Sequence, residues 1–174
     1  MLICGIDPGV TGAVAFVVTG KRPMLKGVVS MPVLWPGAAK KARREYDWIS
    51  LAGLLKAQRP DFVVLEQQWS RPREGVSSAF KAGLGYGGLL GLMAGLGLPH
   101  EVIQATTWKH PLQLRKQDKE ASRQLAIRMM PEGSALFARK LDHGRAEAAL
   151  MAYWKALSDA PDPALVAYGD FAAG

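Results

Sequence analysis

Two short apolar runs that each end in a carboxylate constrain the fold most strongly. Residues 2–6 (LICGI) precede Asp7, and residues 62–65 (FVVL) precede Glu66. An apolar run of this length without polar alternation is typical of a central strand that is buried on both faces. We therefore expect two buried strands, each with its charged residue at an edge of the sheet.

The remaining pattern predicts an α/β domain. Three strands at 2–6, 13–18 and 25–31 come first, and the runs 62–66 and 101–104 predict two more. Helices are predicted after Asp47, through the glycine-rich segment before Pro99, after Asp118 up to Pro131, and from about Asp142 to Leu157. This order indicates a mixed sheet flanked by helices on both faces. We expect one domain over 1–157 and a Pro- and Ala-rich tail over 158–174.

Charge and cysteine content narrow the class of protein. The net charge of +7 on 174 residues, with 15 acidic residues present, favours a folded protein with a polyanionic partner such as nucleic acid. Cys4 is the one cysteine, so we expect neither a disulfide framework nor a cysteine-rich zinc site. A reducing cytoplasm is the expected compartment. Asp7, Pro8 and Gly9 interrupt the first apolar stretch, which argues against a signal peptide.

An uncharged run at residues 82–99 raises the question of a membrane span, because about 18 apolar residues are the lower limit for one. Seven of these residues are glycine and the last is Pro99. We expect a glycine-rich packing helix and no association with a membrane.

Three acidic residues lie where such a fold would bring them together. Asp7 and Glu66 end strands, and Glu147 lies in the last predicted helix. Taken singly, each is compatible with a capping or solvated carboxylate. A cluster of the three is electrostatically costly, so their convergence implies a cation. Oxygen ligands without cysteine favour Mg²⁺ or Mn²⁺.

Four segments between Met1 and Trp154 resemble RuvC-type Holliday junction resolvases of the RNase H-like superfamily. They are GIDPG with the following TGAVAF, Glu66-Gln67-Gln68-Trp69, KAGLGYGG and DHGRAEAALMA. The last is similar to the variant found among phage-type members, whereas bacterial resolvases place two acidic groups three apart. The resemblance implies a five-stranded RNase H-like mixed sheet and a bacterial cell, or a phage that infects one, as the source.

The resemblance also implies an activity, the metal-dependent hydrolysis of phosphodiesters at four-way DNA junctions. Asp7 would bridge two Mg²⁺ or Mn²⁺ ions, with Glu66 and Glu147 on either side. The fourth group stays open. His143 shares a helix face with Glu147, four residues away, whereas Asp142 is a good N-cap whose side chain backbone amides would occupy.

Basic and aromatic residues around this site predict the DNA contacts. Lys109 and Lys119 match basic positions that resolvases use, although both also fit ordinary solvated lysines. Trp69 follows Glu-Gln-Gln, a poor setting for a core residue; by resemblance it would wedge or stack at the branch point, and otherwise it covers the sheet edge. Further basic residues widen the surface: Arg71, Arg73, Arg115, Lys116 and the segment from Lys40 to Arg44.

Small residues recur every four positions in the glycine-rich helix, at Ala79, Gly83, Gly87, Gly91 and Gly95. Such a stripe lets another backbone approach closely. The resemblance favours a homodimer seam, because a two-fold junction needs two symmetric active sites. The alternative is close packing on the protein's own sheet.

Three rival functions fit parts of the pattern. GIDPGVTGA also resembles the first phosphate loop of actin-like ATPases, but no second phosphate loop or adenosine-binding glycine motif is visible. A non-catalytic junction-binding protein is the second rival, and a nuclease for other branched DNA, such as forks or flaps, is the third. The pattern indicates no particular helicase partner.

Overall fold

The fold is a central sheet between two layers of helices. The structure is a computed structural model, which describes residues 1–35, 44–70 and 73–159. Within these ranges the strands are β1 (Leu2–Asp7), β2 (Ala13–Val18), β3 (Met24–Ser30), β4 (Val33–Leu34), β5 (Glu45–Tyr46), β6 (Phe62–Glu66) and β7 (His100–Ile103). The α-helices are α1 (Trp48–Gln58), α2 (Val76–Gly95), α3 (Ala105–Lys109), α4 (Lys119–Met129) and α5 (His143–Ser158), and 3₁₀ helices span Pro131–Phe137 and Lys140–Asp142.

Five strands form one mixed sheet in the order β3-β2-β1-β6-β7. The pairs β1–β2 and β2–β3 are antiparallel, whereas β1–β6 and β6–β7 are parallel. Ile6 of β1 lies opposite Leu65 of β6, so the two strands that end in Asp7 and Glu66 finish side by side at one edge. The prediction of a five-stranded mixed sheet is confirmed.

Both faces of this sheet are covered. Successive side chains of a strand point to opposite faces, so Ile3 and Val64 pack with buried residues of α4 and α5. Cys4 and Val63 pack in a second cluster with buried residues of α1 and α2. This double burial explains why β1 and β6 have no polar residue before Asp7 and Glu66.

Capping residues set the starts of two helices, as the sequence predicts. The Asp47 side chain accepts a hydrogen bond from the Ser50 N–H at 3.0 Å, and the Asp118 side chain accepts one from Ala121 N–H at 2.9 Å. Each satisfies a backbone donor that the first helical turn leaves unpaired.

The structure adds elements that the sequence pattern does not indicate. The ribbon of β4 and β5 has two residues in each strand, too few to show alternation, and α3 is a short helix in a segment for which no regular element is predicted. The helix predicted up to Pro99 ends at Gly95. Lys40, Lys41, Arg43, Arg71 and residues 160–174 of the predicted tail lie outside the described residues. None of the described helices is long and apolar enough to span a membrane.

The glycine stripe of α2 faces away from the sheet. Gly83, Gly87, Gly91 and Gly95 are exposed, and a Cβ added to any of them would meet nothing within 4 Å. The alternative that the stripe packs on the protein's own sheet is therefore wrong. Two other glycines of α2 pack against the segment where β5 leads into α1: a Cβ on Gly85 would lie 2.5 Å from the Tyr46 ring. One on Gly88 would lie 2.5 Å from the Trp48 ring, which stacks on Tyr46.

Gly85→Ala is expected to lower the free energy of unfolding by about 1–2 kcal/mol. Overpacking costs about 1–3 kcal/mol, and the gain in helix propensity returns up to about 1 kcal/mol. Tyr46 cannot yield easily, since its hydroxyl accepts a hydrogen bond from Gly9 N–H at 2.6 Å. The control is Gly53→Ala in α1, where a Cβ meets nothing within 4 Å and stability should rise by up to about 1 kcal/mol. Urea denaturation followed by circular dichroism measures both; equal shifts would contradict the packing assignment.

Candidate metal centre

Three carboxylates meet at the edge where β1 and β6 end. Asp7, Glu66 and Glu147 each offer an oxygen atom within 4.8 Å of the other two. The parallel pairing of β1 and β6 places the first two side by side, and α5 packs across β1 and adds the third. The structure thus brings together the three acidic residues that the sequence singles out.

Two glycines let α5 approach β1 closely. A Cβ on Gly5 would overlap the carbonyl oxygen of Ala148, and one on Gly144 would lie 2.9 Å from Asp7 Oδ2. Sequence reasoning missed both residues, because nothing in the local pattern shows which glycine faces another backbone. They are the reason that a helix far along the chain reaches the end of β1.

Two of these carboxylates, Asp7 and Glu66, have a raised pKa. Burial raises the pKa of Asp7 well above its usual range, and the charges of Glu147 and Glu66 raise it further against the opposing effect of Lys109 and Lys119. Burial also raises the pKa of Glu66. A divalent cation would offset this repulsion, and an all-oxygen donor set suits Mg²⁺ or Mn²⁺ better than zinc.

Helix α3 supplies hydrogen-bond donors to two of the carboxylates. The buried Trp108 donates its indole N–H to Glu66 Oε2 at 2.9 Å, and Lys109 Nζ lies 2.9 Å from Glu147 Oε1. Ser122 Oγ is 3.3 Å from the same Glu147 oxygen. The sequence pattern predicts a role for Lys109 but does not single out Trp108. The signal that could have found it is a tryptophan within a polar, basic segment.

His143 lies one helical turn from Glu147 but outside the carboxylate cluster. Its Nε2 is 3.1 Å from Lys119 Nζ, and its Nδ1 is 3.3 Å from the Lys140 carbonyl oxygen. An ammonium group only donates, so Nε2 accepts and Nδ1 carries the ring proton. The assignment of His143 as a metal ligand stays a prediction.

Asp142 is held by arginines and not by the amides of α5. It occupies the N-cap position, yet its side chain makes no capping hydrogen bond, so the predicted pairing with α5 amides is wrong. The carboxylate, 3% exposed, instead accepts the backbone N–H of Arg139 at 2.9 Å and pairs with the Arg139 guanidinium at 2.8 Å. Arg145 lies 3.7 Å away. The 3₁₀ turn Lys140–Asp142 directs the side chain back along the chain.

The predicted DNA-binding residues that the structure describes lie on the surface. Trp69 is 70% exposed, and Gln68 beside it donates a hydrogen bond to the Pro8 carbonyl at 3.2 Å, which ties this segment to the loop after Asp7. Lys109 is half-buried. The predicted DNA-binding residues Arg44, Arg73, Arg115, Lys116 and Lys119 are exposed.

Comparison with known proteins identifies the fold. No family model and no curated protein matches the chain. Among solved structures, Thermus thermophilus RuvC in complex with a Holliday junction substrate is similar with a TM-score of 0.59 and 18% identity, over 91% of this chain and 97% of RuvC.

Two further resolvase structures are similar. The yeast mitochondrial Holliday junction resolvase Ydc2 has a TM-score of 0.60 and 14% identity, over 88% of this chain and 77% of Ydc2. The fowlpox virus Holliday junction resolvase has a TM-score of 0.54 and 17% identity, over 90% of this chain and 100% of the viral chain. The chain therefore has the RNase H-like fold of RuvC-type resolvases, as its sequence predicts.

Proposed function

We propose that this chain is a metal-dependent endonuclease that resolves four-way DNA junctions. The observation that supports this most strongly is the carboxylate cluster of Asp7, Glu66 and Glu147 at the edge of a resolvase-like sheet. Two lysines beside the cluster, Lys109 and Lys119, form a basic rim. This rim and the net charge of +7 suit a polyanionic substrate. We further propose a bacterial or phage source and a cytoplasmic site of action.

Asp7, Glu66 and Glu147 would hold the proposed pair of Mg²⁺ or Mn²⁺ ions. When bound, the ions supply activation of a water molecule and charge stabilisation at the leaving 3′ oxygen. Trp108 orients Glu66 through its indole N–H. Lys109 pairs with Glu147 at the edge of the cluster, where its ammonium group would also be in reach of a substrate phosphate.

Lys119 and His143 provide a phosphate contact and a proton carrier. Lys119 begins α4, where the positive end of the helix dipole adds to its attraction for phosphate. When Lys119 turns to a phosphate, His143 Nε2 loses its donor and is the ring nitrogen that takes up a proton. Trp69 would stack at the branch point, and Arg73, Arg115, Lys116 and Arg71 would position the arms of the junction.

Substrate choice is tested by incubating the protein with labelled four-way junction, fork, flap and linear duplex DNA. We expect paired cuts in the four-way junction that require Mg²⁺ or Mn²⁺, and slower or no cutting of linear duplex. Preferential cutting of forks or flaps would instead support the branched-DNA alternative, and binding without cutting would support a non-catalytic protein. The described residues form one five-stranded sheet and the β4–β5 ribbon, and among them is no second nucleotide-binding half of the kind that an actin-like ATPase needs.

We propose that two copies associate through the outer face of α2. Its glycine stripe is open to solvent, and beside the stripe Val76, Phe80 and Leu84 are exposed at 86%, 69% and 66%. Contiguous exposed apolar side chains of this kind mark interaction surfaces. A symmetric dimer would provide the two active sites that a two-fold junction requires.

Gly91→Leu is expected to weaken this dimer about 5- to 150-fold while leaving the protomer folded. Its added bulk meets nothing within the protomer but overpacks a seam, at a cost of about 1–3 kcal/mol. Analytical ultracentrifugation over a concentration series measures the change. Gly53→Leu, at an equally open position of α1, is the matched control and should leave the dimer unchanged. A dimer unaffected by Gly91→Leu would place the seam elsewhere.

A further inference from the structure

A hollow beside the carboxylate cluster has the chemistry of a nucleotide site. It has a volume of about 610 Å³ and lies between the loop Gly9–Thr11, the β4–β5 ribbon and the first half of α2. Gly9 follows Asp7 by two residues, and Gln68, which also lines the hollow, follows Glu66 by two. The hollow therefore borders the proposed cutting site.

The lining combines an aromatic surface with positive charge. Trp35 is 64% exposed, and the Arg44 guanidinium lies 4.8 Å from the centre of its ring. Lys81 of α2 adds a second cation, and no acidic residue is among the lining residues. A flat aromatic surface suits a base, and the two cations suit a phosphate.

The hollow is also built on a fixed wall. Tyr46 lines it, stacks on Trp48 with 4.6 Å between ring centroids, and accepts a hydrogen bond from Gly9 N–H. Gln68, which also lines the hollow, donates a hydrogen bond to the Pro8 carbonyl. These contacts connect the shape of the hollow directly to the loop that follows Asp7.

We infer that this hollow receives one unpaired nucleotide of the strand being cut, with its base on Trp35 and its phosphate near Arg44 and Lys81. The inference rests on the proposed function, since the substrate must be DNA. Unpaired bases arise at a branch point, and Trp69, the residue proposed to open it, directly follows Gln68. A linear duplex offers no such base, so the hollow favours branched DNA.

The test measures binding in the Asp7→Asn background, so that DNA is held but not cut. Fluorescence anisotropy compares an intact four-way junction, junctions with an abasic site at each nucleotide flanking the cut, and a linear duplex. Trp35→Ala should weaken binding of the intact junction about ten- to a hundredfold, the range expected for loss of one base–aromatic stack. It should have little effect on binding of the duplex, or of the junction that lacks the base proposed to stack on Trp35. Trp35→Phe should restore most of the binding.

Matched lysine variants distinguish a contact inside the hollow from general electrostatic attraction to DNA. Lys81→Gln should weaken junction binding, whereas Lys26→Gln, an exposed lysine of β3 outside the hollow, should not. The inference would be overturned if Trp35→Ala weakened binding equally for the intact junction and every abasic junction, or equally for the junction and the duplex. Displacement of the junction from Trp35 by free thymidine monophosphate at equal concentration would assign the hollow to a free nucleotide and also overturn it. Junction cleavage by the unaltered protein tests the proposed function separately.

Discussion

Asp7→Asn is expected to reduce junction cleavage at least about a thousandfold and to leave junction binding intact or tighter. Asp7 offers an oxygen within 4.8 Å of both Glu66 and Glu147, so its loss would remove a ligand of the proposed cations. Their charge stabilisation is worth several kcal/mol, and each 1.36 kcal/mol is tenfold in rate. The basic rim is unchanged, and one negative charge facing the DNA is gone. Single-turnover cleavage and anisotropy with the same junction measure the two effects.

Asp61→Asn is the matched control for cleavage. Asp61 lies just before β6, at the opposite end of the sheet, where its carboxylate accepts the Leu2 N–H at 2.6 Å. An asparagine oxygen can accept the same bond, so this variant should cut at the normal rate. Normal turnover by Asp7→Asn would instead rule out the metal centre as described.

The same substitution should stabilise the cation-free protein. Burial and the two neighbouring carboxylates raise the pKa of Asp7 in the folded state, so the native protein binds a proton more readily than the unfolded chain does. Stability is then lost as pH rises from the ordinary pKa of an aspartate to the raised pKa of the folded state. An asparagine carries no charge, so Asp7→Asn should be no more stable than the unaltered protein at low pH. Its gain in the free energy of unfolding should grow as pH rises from the ordinary pKa of an aspartate towards the raised pKa of Asp7.

Thermal unfolding with and without Mg²⁺ tests this linkage. The unaltered protein should gain about 1.4 kcal/mol at a Mg²⁺ concentration of ten times Kd, and Asp7→Asn should gain much less. Asp47→Asn should have the opposite effect on stability, a loss at neutral pH that disappears at low pH. Hydrogen bonds from Ser50 lower the pKa of Asp47, so folding favours its ionised form. A Mg²⁺ response that survives in Asp7→Asn would place the ion elsewhere.

The sequence predicts the sheet well because burial on both faces leaves a strong local pattern. The runs that became β1 and β6 have no polar residue before their terminal carboxylates, and Asp47 and Asp118 mark helix starts by hydrogen bonds to residues three positions ahead. The β4–β5 ribbon is different. Its two strands are too short for periodicity, so their position depends on Tyr46 packing against Gly85.

The candidate site is predictable to the extent that its residues end regular elements. Asp7 and Glu66 do so, whereas Trp108 reaches Glu66 from 42 residues away and Gly5 meets Ala148 across the whole domain. Such contacts are set by tertiary packing and leave no local spacing to read. Asp142 illustrates the same limit, because its N-cap position is correct but its carboxylate turns to Arg139.

Glu147→Gln should abolish metal-dependent cleavage, whereas Asp142→Asn, at the residue before α5, should not. Glu147 Oε1 lies in the cluster and accepts Lys109 at 2.9 Å, so the amide would remove a ligand and leave Lys109 without its counter-charge. A loss of at least about a thousandfold is expected on the same grounds as for Asp7. Single-turnover cleavage at saturating Mn²⁺ measures both variants.

Asp142→Asn should act on stability. The arginine contacts hold the pKa of Asp142 below its usual range, so the stability that its charge contributes is present above the ordinary aspartate pKa and lost as pH falls through the lowered one. Hydrogen bonds to charged groups contribute about 1.5–3 kcal/mol, and the asparagine oxygen keeps the bond from Arg139 N–H. We expect a loss of about 1–3 kcal/mol at neutral pH in chemical denaturation, with near-normal cleavage at 25 °C.

Variants of His143 test whether His143 or Asp142 is the fourth group of the active site. His143→Ala should slow cleavage about a hundredfold or more, the contribution of a general acid or base. His143→Gln retains an oxygen that can accept from Lys119 but cannot carry a proton, so it separates positioning from proton transfer. If His143 moves a proton, both variants are slow and both lose the histidine limb of the pH–rate profile. If it only holds Lys119, the glutamine variant recovers. Full activity in both, together with an inactive but stably folded Asp142→Asn, would instead make Asp142 the fourth group of the active site, released from Arg139 when DNA binds.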